Sequence, residues 1–344
     1  MQKQLVGPGP LLNEKGELAQ AGYATSPCLQ YDRGRIRANP LRIKEWDYYL
    51  VSDGEKALAL TIADNSYMGL ASVSLLDLAA PWQITAGSMT SLPMGRTRLP
   101  PTSREGDVHF RGKRAKLSFF HGGGDRRLLC DFENFGPEGA LHAELTLSHE
   151  PPESMVIATP FSQSRRAFYY NQKINCLRAQ GVAAYGGRRF VFSPEKAFAV
   201  LDWGRGVWPY RNAWYWGTAS GLAEGVPFGF NIGYGFGDTS AASENMLFYD
   251  GRASKLERVE FHIPQAPDGR AEYLKPWQFT SSDGRFEMDF RPVLDRSAHE
   301  KVLFLESDQH QVFGLFSGRA VLDGGRAVLL HDFPGAAEKV TNRW

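Results

Sequence analysis

The chain has 344 residues, 39 Lys and Arg against 38 Asp and Glu, a formal charge of +1, 42% hydrophobic residues and three cysteines. Ordinary apolar content excludes a disordered or collagen-like chain, three cysteines exclude a disulfide scaffold, and balanced charge argues against nucleic acid, whose phosphates demand surplus cations. The length suggests two domains at roughly 100–200 residues each, and 22 Phe, 13 Tyr and 8 Trp beside 36 Gly lean towards β structure.

Residues 1–40, rich in Gly, Pro and charge, read as an irregular lead-in without the apolar run of a secretory signal. From Leu41 the pattern has period two. Trp46-Asp47-Tyr48-Tyr49 places Trp46 and Tyr48 on one face and Asp47 and Tyr49 on the other. Leu70–Ala80 is interrupted by Ser72, Ser74 and Asp77 and falls short of the ~20 apolar residues that span a bilayer, so no transmembrane segment is expected. His121-Gly-Gly-Gly-Asp125 reads as a hairpin turn, since no P-loop Lys-Ser/Thr follows it. Leu141, Ala143, Leu145 and Leu147 alternate with His142, Glu144, Thr146 and Ser148, a half-buried strand. Phe228–Phe236 alternates aromatic and aliphatic residues with Gly229, Asn231, Gly233 and Gly235. One face of that strand is therefore bare, open to close approach by a backbone or a ligand.

Asp53-Gly54, Asp250-Gly251, Asp283-Gly284 and Asp323-Gly324-Gly325 supply the positive φ angles of tight hairpins. The last joins Gln311–Leu322 to Arg326–Phe333. Lys255–Phe261 and Gly335–Val340 suit at most a short helical turn. So many strands must hide their edges, and closed barrels do so. The reading is all-β: two consecutive antiparallel β-barrels, the first over residues 41–190 and the second over 191–344. Cys28, Cys130 and Cys176 read as reduced thiols of a cytoplasmic protein.

The most unusual segment is Asp202–Trp216, which holds Trp203, Trp208, Trp214 and Trp216, half of the chain's tryptophans. Gly204, Gly206 and Pro209 suggest a loop between a strand at Lys196–Leu201 and the next one. Trp214 and Trp216 share a strand face, with Tyr215 opposite. A wide apolar wall with a few orienting polar groups is the make-up of a small-molecule pocket. Asp202 is the candidate catalytic acid, because burial among indoles favours its protonated form. Trp203, Arg205, Trp208, Tyr210, Arg211, Asn212, Trp214, Tyr215 and Trp216 are the candidate substrate-binding residues. The alternative is an aromatic plug with Arg205 and Arg211 paired to carboxylates. The eight His are scattered without ligand spacing, so no metal is expected, and no cofactor signature occurs. The tail from His331 through Glu338 to Arg343 and Trp344 suggests an anchored terminus.

Trp46-Asp-Tyr-Tyr, the Asp202–Trp216 segment and Glu338…Asn342-Arg-Trp344 resemble the bacterial family filed as domain of unknown function 2804, over essentially the whole chain. That family looks like a relative of the lipocalin-like group that contains carotenoid hydratases and tocopherol cyclase. The resemblance implies two consecutive lipocalin-like barrels and a hydrophobic ligand, terpenoid or otherwise lipid-like, in or between them. In that group an acid protonates an alkene, and water or an internal hydroxyl captures the carbocation. In lipocalin-like barrels generally a Trp near the first strand packs under an Arg, a role the resemblance gives to Trp46.

Two functions follow. The first is cofactor-independent hydration, cyclisation or isomerisation, with Asp202 as proton donor, the Trp cluster steadying the cation, and Arg211, Asn212 and Tyr215 orienting a polar end. The second is a non-catalytic lipid carrier or sensor, in which Asp202 is exposed or locked in a salt bridge with Arg205 or Arg211. A third reading makes the aromatic segment a partner interface, Trp, Tyr and Arg being the usual hot-spot types. The sequence sets no oligomeric state.

Overall fold

The computed structural model describes residues 2–302 and 305–343, so Trp344 lies outside the described residues. The expected all-β architecture is present: two curled antiparallel sheets, each a half-barrel around its own apolar core. Among the described residues no helix is long and apolar enough to cross a membrane.

The first sheet runs from Trp82–Ser91 through Met68–Asp77, Lys56–Asp64, Ile43–Ser52 and Phe198–Val207 to the 22-residue strand Ser164–Tyr185, then onward to Val108–Arg111. The strand Gly139–Ser148 buries Leu141, Ala143, Leu145 and Leu147 as its alternation requires. The second sheet is centred on Ala327–Arg343, which lies between Leu305–Val321 and Arg211–Ala223, and the latter pairs in turn with Val226–Tyr234. All four Asp-Gly pairs sit between paired strands, with Gly54, Gly251, Gly284 and Gly325 at positive φ. Lys255–Phe261 and Gly335–Val340 take no helical turn. Lys255 ends one strand and Val259–Phe261 lies on the next, with residues 256–258 an irregular link between them, while Gly335–Val340 lies within an extended strand paired across the sheet.

The chain crosses from one sheet to the other between Val207 and Arg211, beyond the expected division at residue 190. Phe198–Val207 belongs to the first sheet because it bridges Ile43–Ser52 and Ser164–Tyr185. Gly204 and Gly206, expected in a loop, therefore lie inside a strand. Their missing side chains clear space: a Cβ on Gly204 would stand 1.9 Å from the Trp46 indole. Residues 2–40 are a strap rather than a loose lead-in. Leu5, Leu11, Leu12, Leu29 and Tyr31 are buried in the first core, while Gln2 accepts bonds from Ser243 N and Oγ beside the second sheet.

The two half-barrels pack back to back over a third apolar cluster that includes Leu50, Leu76, Trp216, Leu294 and Phe313. The bare face of Val226–Tyr234 takes part in this contact: a Cβ on Gly229 would lie 2.8 Å from Cys176 Sγ. Cys176 reaches it from a bulge in Ser164–Tyr185, where its φ is +63°. At the same bulge the buried Asn175 Nδ2 donates to Thr218 Oγ1 (2.8 Å) and to the carbonyls of Ala219 (3.1 Å) and Phe230 (3.0 Å), pinning one sheet to the other.

Candidate functional site

Cross-strand register lines up two rows of side chains, one on each sheet. On the first sheet Lys173 faces Asp202, then come Tyr48, Thr61 and Ser72 on successive strands. On the second, Trp216 faces Glu338, followed by Gln311 and Arg296. The rows look at each other across a cleft with a cavity of about 240 Å³ between the half-barrels.

One side of the cleft is aromatic. The Trp46 ring stacks on Tyr169 at 6.0 Å and stands edge-on to Trp208 at 5.2 Å. Phe236 lies 4.8 Å from Trp208 and from Tyr169, and 5.3 Å from Trp214. Such edge-to-face packing holds the ring faces in fixed positions.

The other side is polar. Asp202 Oδ2 lies 2.6 Å from Lys173 Nζ, and its Oδ1 accepts from Asn171 Nδ2 at 2.6 Å. The Lys173 ammonium also sits 4.5 Å from the Trp216 ring centre. Glu338 accepts from Trp214 Nε1 at 2.6 Å and from Gln311 Nε2 at 2.8 Å. Tyr48 closes the network from the first sheet by donating to Gln311 Oε1 at 3.3 Å. Glu244 Oε2 accepts one bond, from Asn231 Nδ2 at 3.2 Å, and Asn231 Oδ1 accepts from Trp216 Nε1 at 2.7 Å. Burial pushes the Glu244 and Glu338 carboxyls up from their ordinary values, and the Asp202 charge adds to both shifts, against the Lys173 charge.

Of the residues expected from sequence, Asp202, Trp208, Trp214 and Trp216 line this cleft. Asp202 is not an isolated acid among indoles, since Lys173 supplies a cation at contact distance. Trp203 and Arg205 alternate to the other face, inside the first half-barrel. There Arg205 is fully buried, ion-paired to Asp47 at 3.0 Å, with its guanidinium 4.2 Å over the Trp203 ring. It donates to the Trp46 carbonyl oxygen at 2.7 Å, so the Arg–Trp ring contact falls on Trp203 and not on Trp46. Tyr210 takes the Arg42 guanidinium on its ring at 5.5 Å. Arg211 is exposed opposite Arg343, and Asn212 bonds to Pro209 O and Asn342. Tyr215 stacks on Tyr234 at 4.5 Å, towards the second core. Tyr210, Arg211, Asn212 and Tyr215 are thus outside the cleft lining.

Sequence reasoning missed Lys173, Glu244, Arg296 and the part played by Glu338. A usable signal existed for Glu338, an acid set between Ala336 and Val340 on one face of its strand. Lys173, Glu244 and Arg296 carry no local signal.

Residues 2–344 match the family described as Domain of unknown function (DUF2804). Among solved structures, a Nitrosomonas europaea protein bearing the name ATTH aligns with a TM-score of 0.54 at 13% identity, over 91% of this chain and 97% of its own. CghA with Sch210972 aligns with a TM-score of 0.54 at 13% identity, over 96% of this chain and 97% of its own. At such identity these likenesses establish a shared fold. No curated protein sequence matches the chain.

Proposed function

We propose that this chain, which belongs to the DUF2804 family, binds an apolar, alkene-bearing small molecule in the cleft between its half-barrels and protonates it without a cofactor. The observation that carries the reading is a pair of buried carboxyls, Glu244 and Glu338, pushed towards their protonated forms within an aromatic wall. The fold of CghA, solved with Sch210972, accords with it.

Glu244 is the proton donor in this reading. Among the described residues its Oε1 accepts no hydrogen bond and its Oε2 accepts one, which suits a carboxylic acid. Glu338, whose two oxygens accept from Trp214 and Gln311, fixes the Trp214 indole. The Glu244 proton forms a C–H bond as the substrate π bond breaks, leaving a carbocation. The faces of Trp46, Trp208 and Trp214 and the anionic Asp202, held by Lys173 and Asn171, stabilise that cation. Water or an internal hydroxyl adds to the cation, or a neighbouring C–H bond breaks, and the proton released returns to Glu244. The outcome is hydration, cyclisation or isomerisation.

The closed Asp202–Lys173 pair favours a second reading, a non-catalytic lipid carrier or sensor with the same cleft. One experiment separates the two. The molecule recovered by organic extraction of freshly purified protein is incubated with the chain in D2O and weighed by mass spectrometry. Acid catalysis installs deuterium on carbon, and Glu244→Gln abolishes the incorporation while the molecule still binds. Recovery without a mass shift from the unaltered protein would sink the catalytic reading and leave the carrier.

A further inference from the structure

The cleft wall does not stop inside the molecule. Register carries the row Trp46, Ala63 and Leu70, all on the cleft lining, one strand further to Met89 on the edge strand Trp82–Ser91. Met89 is 67% exposed, and three more apolar side chains stand out at the same end of the first sheet: Leu92 at 53%, Leu41 at 44% and Met94 at 39%. Protein surfaces scatter such side chains singly, whereas a cluster marks a contact site. The other large apolar side chains exposed among the described residues, Val6, Val191, Leu222, Leu274 and Leu329, stand on five separate segments.

The backbone presents this cluster firmly. Leu92 and Met94 sit in the left-handed region, at φ +49° and +52°, a conformation costly for bulky residues. Leu92 N donates to Tyr67 O and Met94 N to Ser66 O, each at 3.0 Å, while Gly95 N donates to Asp64 Oδ2 at 2.9 Å. At the same turn Arg33 Nη2 donates to Ser66 Oγ at 3.1 Å, and nearby Trp208 N donates to Arg42 O at 3.1 Å. Three segments therefore meet here: residues 33–42, 88–99 and 207–213. They hold four, two and one arginines respectively and no Asp or Glu, in a chain whose charges otherwise nearly balance. The adjoining acids are engaged: Glu45 by Arg33 and Tyr31, Asp64 by the backbone N–H groups of Ser66 and Gly95, and Asp32 by that of Gly34. Arg37, Arg96 and Arg98 are exposed, and among the described residues none of the three has a carboxylate within ion-pair distance.

We propose that this end of the first half-barrel docks on an anionic lipid bilayer. Leu41, Met89, Leu92 and Met94 dip into the boundary between headgroups and acyl chains, and the arginines pair with the lipid phosphates. Nucleic acid would engage the arginines but offers nothing to the four apolar side chains. The face adjoins the aromatic side of the cleft, since Asn65 and Trp208 line that cleft, which gives an apolar ligand a route from the bilayer that avoids bulk water. The docking needs no step of the proton transfer, so it stands or falls separately from the deuterium experiment.

Sedimentation of the full chain with lipid vesicles tests it. In about 0.1 M salt the protein pellets with vesicles of equal parts phosphatidylglycerol and phosphatidylcholine, and stays in solution with phosphatidylcholine alone. Raising the salt to about 1 M cuts the screening length from about 10 to about 3 Å and raises the half-binding lipid concentration about tenfold or more. Arg96→Gln combined with Arg98→Gln raises it about 25-fold, at about fivefold for each surface cation. Leu92→Ser combined with Met94→Ser raises it about tenfold or more. Arg189→Gln combined with Arg319→Gln, which removes two exposed arginines from other strands, leaves binding as in the parent. The lipid and salt dependence is read on the parent itself, so a misfolded variant does not decide the matter. The proposal is overturned if the parent ignores the anionic vesicles or binds both vesicle types alike. It is also overturned if either the Arg96/Arg98 or the Leu92/Met94 variant binds as the parent does, or if the Arg189/Arg319 variant loses as much as the Arg96/Arg98 one. A DNA or RNA duplex that binds more tightly than the anionic vesicles would overturn it too.

Discussion

Replacing Lys173 by Met tests whether the polar side of the cleft is a charge assembly or merely a set of neighbours. The Lys173 side chain is 4% exposed and that of Asp202 13%, so their 2.6 Å ion pair is largely dry. Removing one partner of a buried pair leaves the other uncompensated, at a cost of about 3–5 kcal/mol. The ammonium also leaves the Trp216 ring at 4.5 Å, which adds about 0.5–2 kcal/mol. Asn171 still donates to Asp202 Oδ1, which holds the total near the lower end, about 3–4 kcal/mol. Equilibrium urea unfolding at pH 7 reads this as a lower midpoint with an unchanged m-value. A double-mutant cycle with Asp202→Asn completes the test. Lys173→Met on the Asp202→Asn background costs far less, because the stranded charge is gone. A loss under about 1 kcal/mol for Lys173→Met, or the same loss on both backgrounds, would refute the reasoning and place the pair with weak surface contacts.

Asn175→Ala removes the donor to the Ala219 and Phe230 carbonyls across the sheets. It should cost about 2–4 kcal/mol in the same unfolding assay, since each stranded polar group carries about 1–3 kcal/mol. Gly204→Ala forces the Trp46 indole aside, because the new Cβ falls 1.9 Å from it. The expected loss is about 1–3 kcal/mol, together with an altered tryptophan emission spectrum. Burial pushes Lys44 down from 10.5 to about 7. The unfolded chain then binds the extra proton over the window from about 7 to 10.5, so stability from this group rises with pH there and is lowest at and below about 7. Lys44→Met should be more stable than the parent at pH 7, with the difference shrinking towards pH 10, as read by urea midpoints across that range.

Features written in consecutive residues were legible in the sequence. The Leu141–Ser148 alternation, the Asp-Gly turns and the bare face of Phe228–Tyr234 each depend on neighbours one or two positions apart, and each holds in three dimensions. Phe236, beyond the strand end and after Gly235 at φ +89°, leaves the face of Phe228, Phe230 and Ile232 and joins the aromatic side of the cleft. The cleft is written across strands. Lys173 and Asp202, or Trp216, Glu338 and Arg296, become neighbours only through register, and nothing adjacent in the chain marks them. The Asp202–Trp216 segment drew attention by composition, but its alternation divides it. Asp202 faces the cleft, Trp203 and Arg205 face the first half-barrel, and Tyr215 faces the second. Glycine misled for a related reason: Gly204 and Gly206 resemble a loop locally, yet they are bare because Trp46 and the Phe168 carbonyl occupy the space in front of them.

The charges around the cleft bear on what kind of molecule it rewards. Three carboxyls line it, those of Asp202, Glu244 and Glu338, against two cations, Lys173 and Arg296. Lys173 is committed to Asp202 at 2.6 Å, and Arg296 donates to Ser74 Oγ while acting on Glu338. Glu244 is the least compensated, which is the condition for a stored proton. Once that proton moves to the substrate, Glu244 becomes an anion at the moment the substrate becomes a cation, so the surplus negative charge favours the transition state over the neutral ground state. A permanently cationic analogue, with an ammonium nitrogen in place of the carbon that becomes positive, should therefore bind at least about 100-fold more tightly than the neutral molecule. Asp202→Asn should erase most of that preference while leaving neutral binding nearly unchanged. Isothermal titration calorimetry on both proteins measures it, and equal affinity for the neutral and cationic forms in the parent would mean that the carboxyls are not aimed at a developing cation.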